Sequence, residues 1–198
     1  MSDTYKTIAA STEGVYKEKG SKFLSFAIPV RDVEEVKEIV KDYRKQFYDA
    51  RHVCYAYMLG AERKNWRAND DGEPSGTAGR PIVGQINSRE LTNILVIVVR
   101  YFGGILLGTG GLVVAYKEAA ADALNQTEII EKTVDEMISI NFDYVLINDV
   151  MRIIKETNPQ IIHQTFDNQC TMQLSIPKQD APVLVSKLEK ITGLTIEK

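Results

Sequence analysis

The sequence predicts an α+β protein of two domains, and three observations predict it. Strand-like alternation and helical spacing are interleaved along the chain. One run, Ile94 to Val99, is aliphatic at every position, which places it at the centre of a sheet covered on both faces. Beyond Glu131 the pattern restarts, and it completes a βαββαβ order within about 60 residues, the split-βαβ, ferredoxin-like arrangement.

Taken in order, Gly14 to Val30 reads as one or two strands with Lys19-Gly20-Ser21 as the turn. Asp32 then caps a helix whose apolar positions Val33, Val36, Ile39, Val40 and Tyr43 recur at helical spacing. His52 to Leu59 is a strand. Gly60 to Gly79 is polar and without periodicity, and reads as one long loop of the kind that is functional or mobile. Pro81 opens a short helix reaching Asn87. Asn93 to Tyr101 is the central strand, and after a glycine-rich turn a helix with closely packed alanines runs from Leu112 to Asn125.

In the last segment, Met137 to Tyr144 alternates as a strand, and Val145 to Thr157 has helical spacing that stops before Asn158-Pro159. Strands at Gln160 to Phe166 and Gln169 to Ile176 flank the turn Asp167-Asn168. A helix from Gln179 to Thr192 ends at Gly193, with a short strand after it. The division is therefore expected near residue 135, giving domains 1–134 and 135–198.

Composition excludes more than it identifies. The 198 residues are 44% hydrophobic and 26% charged, which rules out disordered, collagen-like and low-complexity classes. No aliphatic run approaches the roughly 18 residues of a membrane span. The start of the chain has no basic region followed by an apolar core, so a cytoplasmic location is expected. Net charge is −3, against the basic excess usual for a duplex-DNA protein. That acidity is local: residues 1–134 hold 18 basic and 18 acidic side chains, whereas 135–198 hold 6 and 9. The argument against gripping a phosphate backbone therefore applies to the second domain only. Cys54 and Cys170 lack any zinc spacing and read as buried free thiols in a reducing compartment, with no disulfide-linked partner. His52 and His163 stand alone in strand-like stretches and read as structural.

Two motifs carry chemistry. The first is Asp70-Asp71-Gly72-Glu73-Pro74-Ser75-Gly76-Thr77-Ala78-Gly79-Arg80-Pro81. Asp70, Asp71 and Glu73 within four positions suit a hard cation such as magnesium. Ser75, Thr77 and the glycine amides could bind a phosphate or anchor the loop on itself, and Arg80 adds a donor fork for phosphate or carboxylate. The alternative is an acidic turn in which the aspartates cap backbone amides. Upstream, Arg63, Lys64, Trp66 and Arg67 place a tryptophan among cations, either to stack on a nucleobase or to cover the core.

The second motif is Arg100-Tyr101-Phe102-Gly103-Gly104-Ile105-Leu106-Leu107-Gly108-Thr109-Gly110-Gly111. A buried strand runs through five glycines into a helix, so Gly103, Gly104, Gly108, Thr109, Gly110 and Gly111 could present amides to an anion at the helix start. Close packing and tight turning explain the same glycines without a ligand. Arg100, at the end of a hydrophobic strand, needs a partner, and the acidic loop is the candidate.

With these two motifs the sequence resembles the YigZ/IMPACT family over most of residues 14 to 126. The last 60 or so residues are similar to the small ferredoxin-like domain of its bacterial members and to the last domain of elongation factor G. The resemblance implies that the first domain has the fold of the second domain of ribosomal protein S-five, an α/β sandwich shared with the GHMP kinases. It also implies a part in translation: eukaryotic members regulate translation by binding the activator of the amino-acid-starvation kinase. No catalytic residues come with it. Two functions are therefore weighed. One is a regulatory protein that binds RNA, the ribosome or a translation factor through its first domain. The other is a magnesium-dependent enzyme acting on a phosphorylated small molecule or nucleotide. Binding is the reading preferred, because no general base or nucleophile accompanies the motifs.

Overall fold

A computed structural model describes residues Asp3–Glu197. Contacts divide it into one unit of residues 5–132 and another of residues 133 onward together with the first residues of the chain.

The first unit is built on a five-stranded antiparallel sheet of β2 (Thr12–Glu18), β3 (Ser21–Pro29), β4 (His52–Leu59), β5 (Asn65–Asn69) and β6 (Ile94–Tyr101), in the order β2-β3-β6-β4-β5. Helix α1 (Val33–Gln46) covers one face, where Val36 and Val40 pack on Phe26, Val53, Tyr57, Leu95, Ile97 and Val99. Helices α2 (Gly79–Ser88) and α3 (Gly108–Asn125) cover the other, where Ile82, Ile86, Ala115, Tyr116 and Ala119 meet Phe23, Cys54, Ala56, Val96 and Val98. The aliphatic run is thus aliphatic for a reason: β6 is the middle strand, and its alternate side chains enter two cores. Burying each such side chain is worth about 1.5–3 kcal/mol. Asp32 caps α1 as its position dictates, accepting from the Glu35 amide at 2.9 Å.

The polar stretch Gly60 to Gly79 is not a continuous loop. It contains β5, the outer strand of the sheet, paired with β4 from Tyr55↔Asn69 to Leu59↔Asn65. Its residues are polar because an edge strand keeps much of both faces in water, so alternation carries no hydrophobic signal. Helix α3 also starts earlier than expected, at Gly108, so the glycine-threonine segment is its first turn. Two short strands lie outside the elements expected from the sequence, β1 (Thr4–Ile8) and β7 (Ile129–Thr133), which pair as a separate ribbon.

The second unit is a four-stranded antiparallel sheet of β8 (Asp135–Asp143), β9 (Gln160–Thr165), β10 (Gln169–Pro177) and β11 (Thr195–Glu197), ordered β11-β8-β10-β9. Helices α4 (Ile147–Thr157) and α5 (Ala181–Leu188) pack Val150, Ile153, Ile154, Leu184 and Leu188 on Ile138, Ile140, Phe142, Met172 and Leu174. A turn of 3₁₀ helix at Tyr144–Leu146 precedes α4, and α5 stops four residues short of Thr192. The element order is βαββαβ, and the protein is α+β throughout. Among the described residues, no helix is long and apolar enough to cross a membrane.

Candidate functional site

The acidic motif is a loop folded on its own carboxylates. Asp70 stands ahead of α2 and accepts the amides of Gly76 (2.9 Å) on one oxygen and of Ala78 (3.1 Å) and Gly79 (2.8 Å) on the other. It supplies what the helix lacks, since the N-cap Ala78 has no polar side chain to offer. Burial alone would raise the Asp70 carboxyl, but the three amides, with Arg80 nearby, hold it below the ordinary carboxylate range. Asp71, at φ 43°, accepts the Val53 amide at 2.7 Å and pairs with Arg44 at 2.8 Å. Thr77 donates to the Pro74 carbonyl, and Ser75 and Arg80 lie exposed.

A pH dependence follows with a definite sign. A carboxyl held low contributes stability that is fully present above its unfolded value, about 4, and is lost as pH falls through the folded value. Asp70→Asn is expected to flatten the acid limb of a stability–pH curve, read by urea denaturation between about pH 2 and 6. Asp70→Ala strands three amides and is expected to cost about 2 kcal/mol at neutral pH. An unchanged acid limb in Asp70→Asn would show that another carboxylate sets it.

The third carboxylate, Glu73, belongs to a buried polar cluster. One of its oxygens accepts from Arg100 Nη1 at 2.6 Å and from the Tyr116 hydroxyl at 2.8 Å, and the other lies 3.7 Å from His52 Nε2. The expected pairing of Arg100 with the acidic loop is made here, with both side chains under a tenth exposed. Strand register explains the assembly: His52 on β4 and Phe23 on β3 both oppose Arg100 on β6. The guanidinium lies over the rings of Phe23 (5.6 Å) and Phe102 (5.7 Å). His52 Nδ1 donates to the Asp71 carbonyl at 2.8 Å. The Cys54 thiol donates to the Asp70 carbonyl at 3.0 Å and reaches Tyr116 at 3.4 Å. Burial pushes both the thiol and the Tyr116 hydroxyl up, so both stay protonated and neither is a ready nucleophile or base.

Sequence reasoning did not link His52, Cys54 or Tyr116 to the motifs. Only pairing register brings the first two into line, and Tyr116 is one apolar position on an alanine-rich helix.

This donor set does not fit magnesium. The oxygens of Asp70 face amides, those of Asp71 an amide and a guanidinium, and Glu73 is sealed under Arg100. Among the described residues, no group of three or more His, Cys, Asp or Glu side chains is arranged to hold a metal ion.

The glycines of the second motif differ in purpose. Gly103 touches the β2–β3 turn, where a Cβ would fall 1.9 Å from the Gly20 carbonyl carbon, and its amide donates to Ser21 Oγ. Gly104 and Gly108 take positive φ, whereas Gly110 has neither positive φ nor any neighbour a Cβ would meet. Thr109 and Gly110 lie exposed in the first turn of α3, and Gly111 meets only Leu107. In the same segment Phe102, Ile105 and Leu106 are 48%, 55% and 82% exposed. The two motifs are therefore joined by a buried ion pair, and what the second turns outward is an apolar loop.

The residues upstream do not converge on one surface. Arg63 is engaged by the Leu91 carbonyl and Asn87, and Lys64 pairs with Glu62. Trp66 opposes Met58 and Arg67 opposes Tyr57, so the two point to opposite faces of the sheet.

Residues 19–124 match the model of the Impact N-terminal domain. The chain is 32% identical over 182 residues to the IMPACT family member YigZ of Escherichia coli (strain K12), covering 91% of this chain and 89% of that protein. It is 33% identical over 157 residues to the IMPACT family member YvyE of Bacillus subtilis (strain 168), covering 79% and 72%. A solved structure described as a crystal structure of a hypothetical protein superposes over 99% of this chain and 97% of its own, with TM-score 0.79 and 30% identity. The match spans both motifs and the buried pair that joins them, and the chain belongs to the IMPACT family.

Proposed function

We propose that this protein is a translation-related regulatory binding protein that engages RNA, the ribosome or a translation factor. The engagement is through the first of two domains, 1–134, with 135–198 as an acidic companion. Family membership supports the reading, since eukaryotic members regulate translation. The observation that carries it is that the motif side chains are engaged with one another and with nearby backbone. Asp70, Asp71, Glu73 and Arg100 all bond within the protein, so the motifs make a rigid frame with an exposed loop.

Co-sedimentation of the full chain with ribosomes, together with filter binding of labelled RNA at low and moderate salt, tests the proposal. Binding that weakens with salt is expected in at least one assay. No association with RNA, ribosomes or purified translation factors would overturn it. A thermal shift with nucleotides or sugar phosphates that requires magnesium would favour the enzymatic alternative instead.

A further inference from the structure

The α1 face of the sheet is covered by a single helix, and a groove of about 540 Å³ remains beside it, between α1 and strands β4 and β5. This is within the size range of small-ligand sites. Its charged lining is entirely cationic. Lys37, Lys41, Arg44 and Lys45 recur at helical spacing along one side of α1, and Arg67 faces them from β5. Arg67 opposes Tyr57, whose side chain lies in the α1-side core, so the register fixes Arg67 on this face.

Three of the five cations are paired at the surface: Lys37 with Glu34, Arg44 with Asp71 and Lys45 with Asp42. The two pairs within α1, Lys37 with Glu34 and Lys45 with Asp42, are exposed, are worth at most about 1 kcal/mol each and yield to a competing anion. Among the described residues, Lys41 and Arg67 have no ion-pair partner.

What the groove offers besides charge is aromatic. Val36 and Val40 are already buried under α1, so little aliphatic surface remains for the anchors of an amphipathic peptide. Tyr55 is half-buried on the floor, and Tyr48 is 85% exposed at the end of the groove. A ring so exposed contributes almost nothing to folding. Exposed rings flanked by unpaired cations form the platform on which single-stranded nucleic acid stacks its bases while its phosphates follow the charge.

We propose that this groove binds a segment of single-stranded RNA, with Lys41 and Arg67 contacting phosphates and Tyr48 stacking on a base. This deepens the functional reading above and rests on it.

The test uses the full chain and a fluorescein-labelled single-stranded RNA of mixed sequence, about 12 nucleotides long. Anisotropy titrations over a salt series are run beside ribosome co-sedimentation. The wild-type log–log salt slope is expected near −2, about three phosphate contacts at about 0.7 each. Lys41→Gln with Arg67→Gln is expected to weaken binding at least tenfold and to reduce the slope by about 1.4. Tyr48→Ala is expected to weaken it about tenfold with the slope unchanged. All the substituted side chains are exposed, and unchanged melting curves verify that the variants fold.

RNA binding that both variants leave intact would place RNA elsewhere and overturn the groove while sparing the broader reading. Ribosome association without RNA binding would overturn the RNA assignment alone. Capture of a labelled poly-glutamate peptide, lost in the same variants and without RNA binding, would make the groove a protein-docking site. Absence of every interaction in the unsubstituted protein would take the broader reading down as well.

Discussion

Glu73→Ala is expected to cost about 3–5 kcal/mol of folding stability, the range for removing one partner of a buried ion pair. Arg100 is 5% exposed, and its Nε already lacks a hydrogen-bond partner. Its Nη1 bond to Glu73 is therefore its main compensation for leaving water, with the rings of Phe23 and Phe102 adding a weaker share. The same truncation takes the acceptor from the Tyr116 hydroxyl, which has only the Cys54 sulfur left within reach. A small domain is stable by only about 5–15 kcal/mol, so the variant should melt far lower and be partly unfolded at moderate urea. Glu73→Gln keeps an acceptor for Tyr116 and loses only the charge, so a smaller loss is expected. Converting both partners, Glu73→Leu with Arg100→Met, should cost less than Glu73→Ala, because no lone charge remains in the core. Urea denaturation followed by circular dichroism reads all three. A loss under about 1 kcal/mol for Glu73→Ala would mean that the guanidinium reaches water and that the two motifs are not held by this bond.

Gly103→Ala and Gly110→Ala should differ in sign, although both lie in one glycine-rich motif. A methyl at Gly103 would fall 1.9 Å from the Gly20 carbonyl carbon and 2.2 Å from the Ser21 amide nitrogen, so the β2–β3 turn must move. Backbone cannot rotate aside as a side chain can, and a loss of about 3 kcal/mol is expected. A methyl at Gly110 meets nothing within 4 Å and sits in the first turn of an 18-residue helix. Alanine there should be neutral or stabilising by up to about 1 kcal/mol, through helix propensity and a less flexible unfolded chain. Thermal unfolding checks both. Gly110→Ala then becomes a probe of function: a variant as stable as the parent that no longer associates with ribosomes would place the partner on this turn. Equal destabilisation of the two variants would mean that α3 packs against something at Gly110.

Much of the fold was legible because its signals are local. Asp32 and the apolar positions of α1 announce a helix, the unbroken run Ile94 to Val99 announces the central strand, and the last 60 or so residues spell βαββαβ. Strand β5 was not legible: Asn65-Trp66-Arg67-Ala68-Asn69 is polar, and only its place at the sheet edge makes it a strand. The start of α3 at Gly108 has no local signal for a related reason. Glycines are poor helix formers, and here the helix is held by the packing of Leu112, Ala115, Tyr116 and Ala119 further along.

The candidate site divides along the same line. From the sequence alone came its components: an acidic loop, a glycine-rich turn, and a buried arginine that had to find a carboxylate. Each follows from what a side chain or a backbone tolerates locally, since an unpaired charge is too costly to bury and a tight turn needs glycine. Tertiary structure alone decided which carboxylate pairs with Arg100, and it directed Asp70 and Asp71 to amides and Arg44 instead of a cation. It also turned Trp66 and Arg67 to opposite faces, and it set Arg67 across a groove from the cations of α1. Those outcomes depend on strand register and on helices packed against distant strands. The contacts involved span tens of residues, and no local pattern in the chain encodes them.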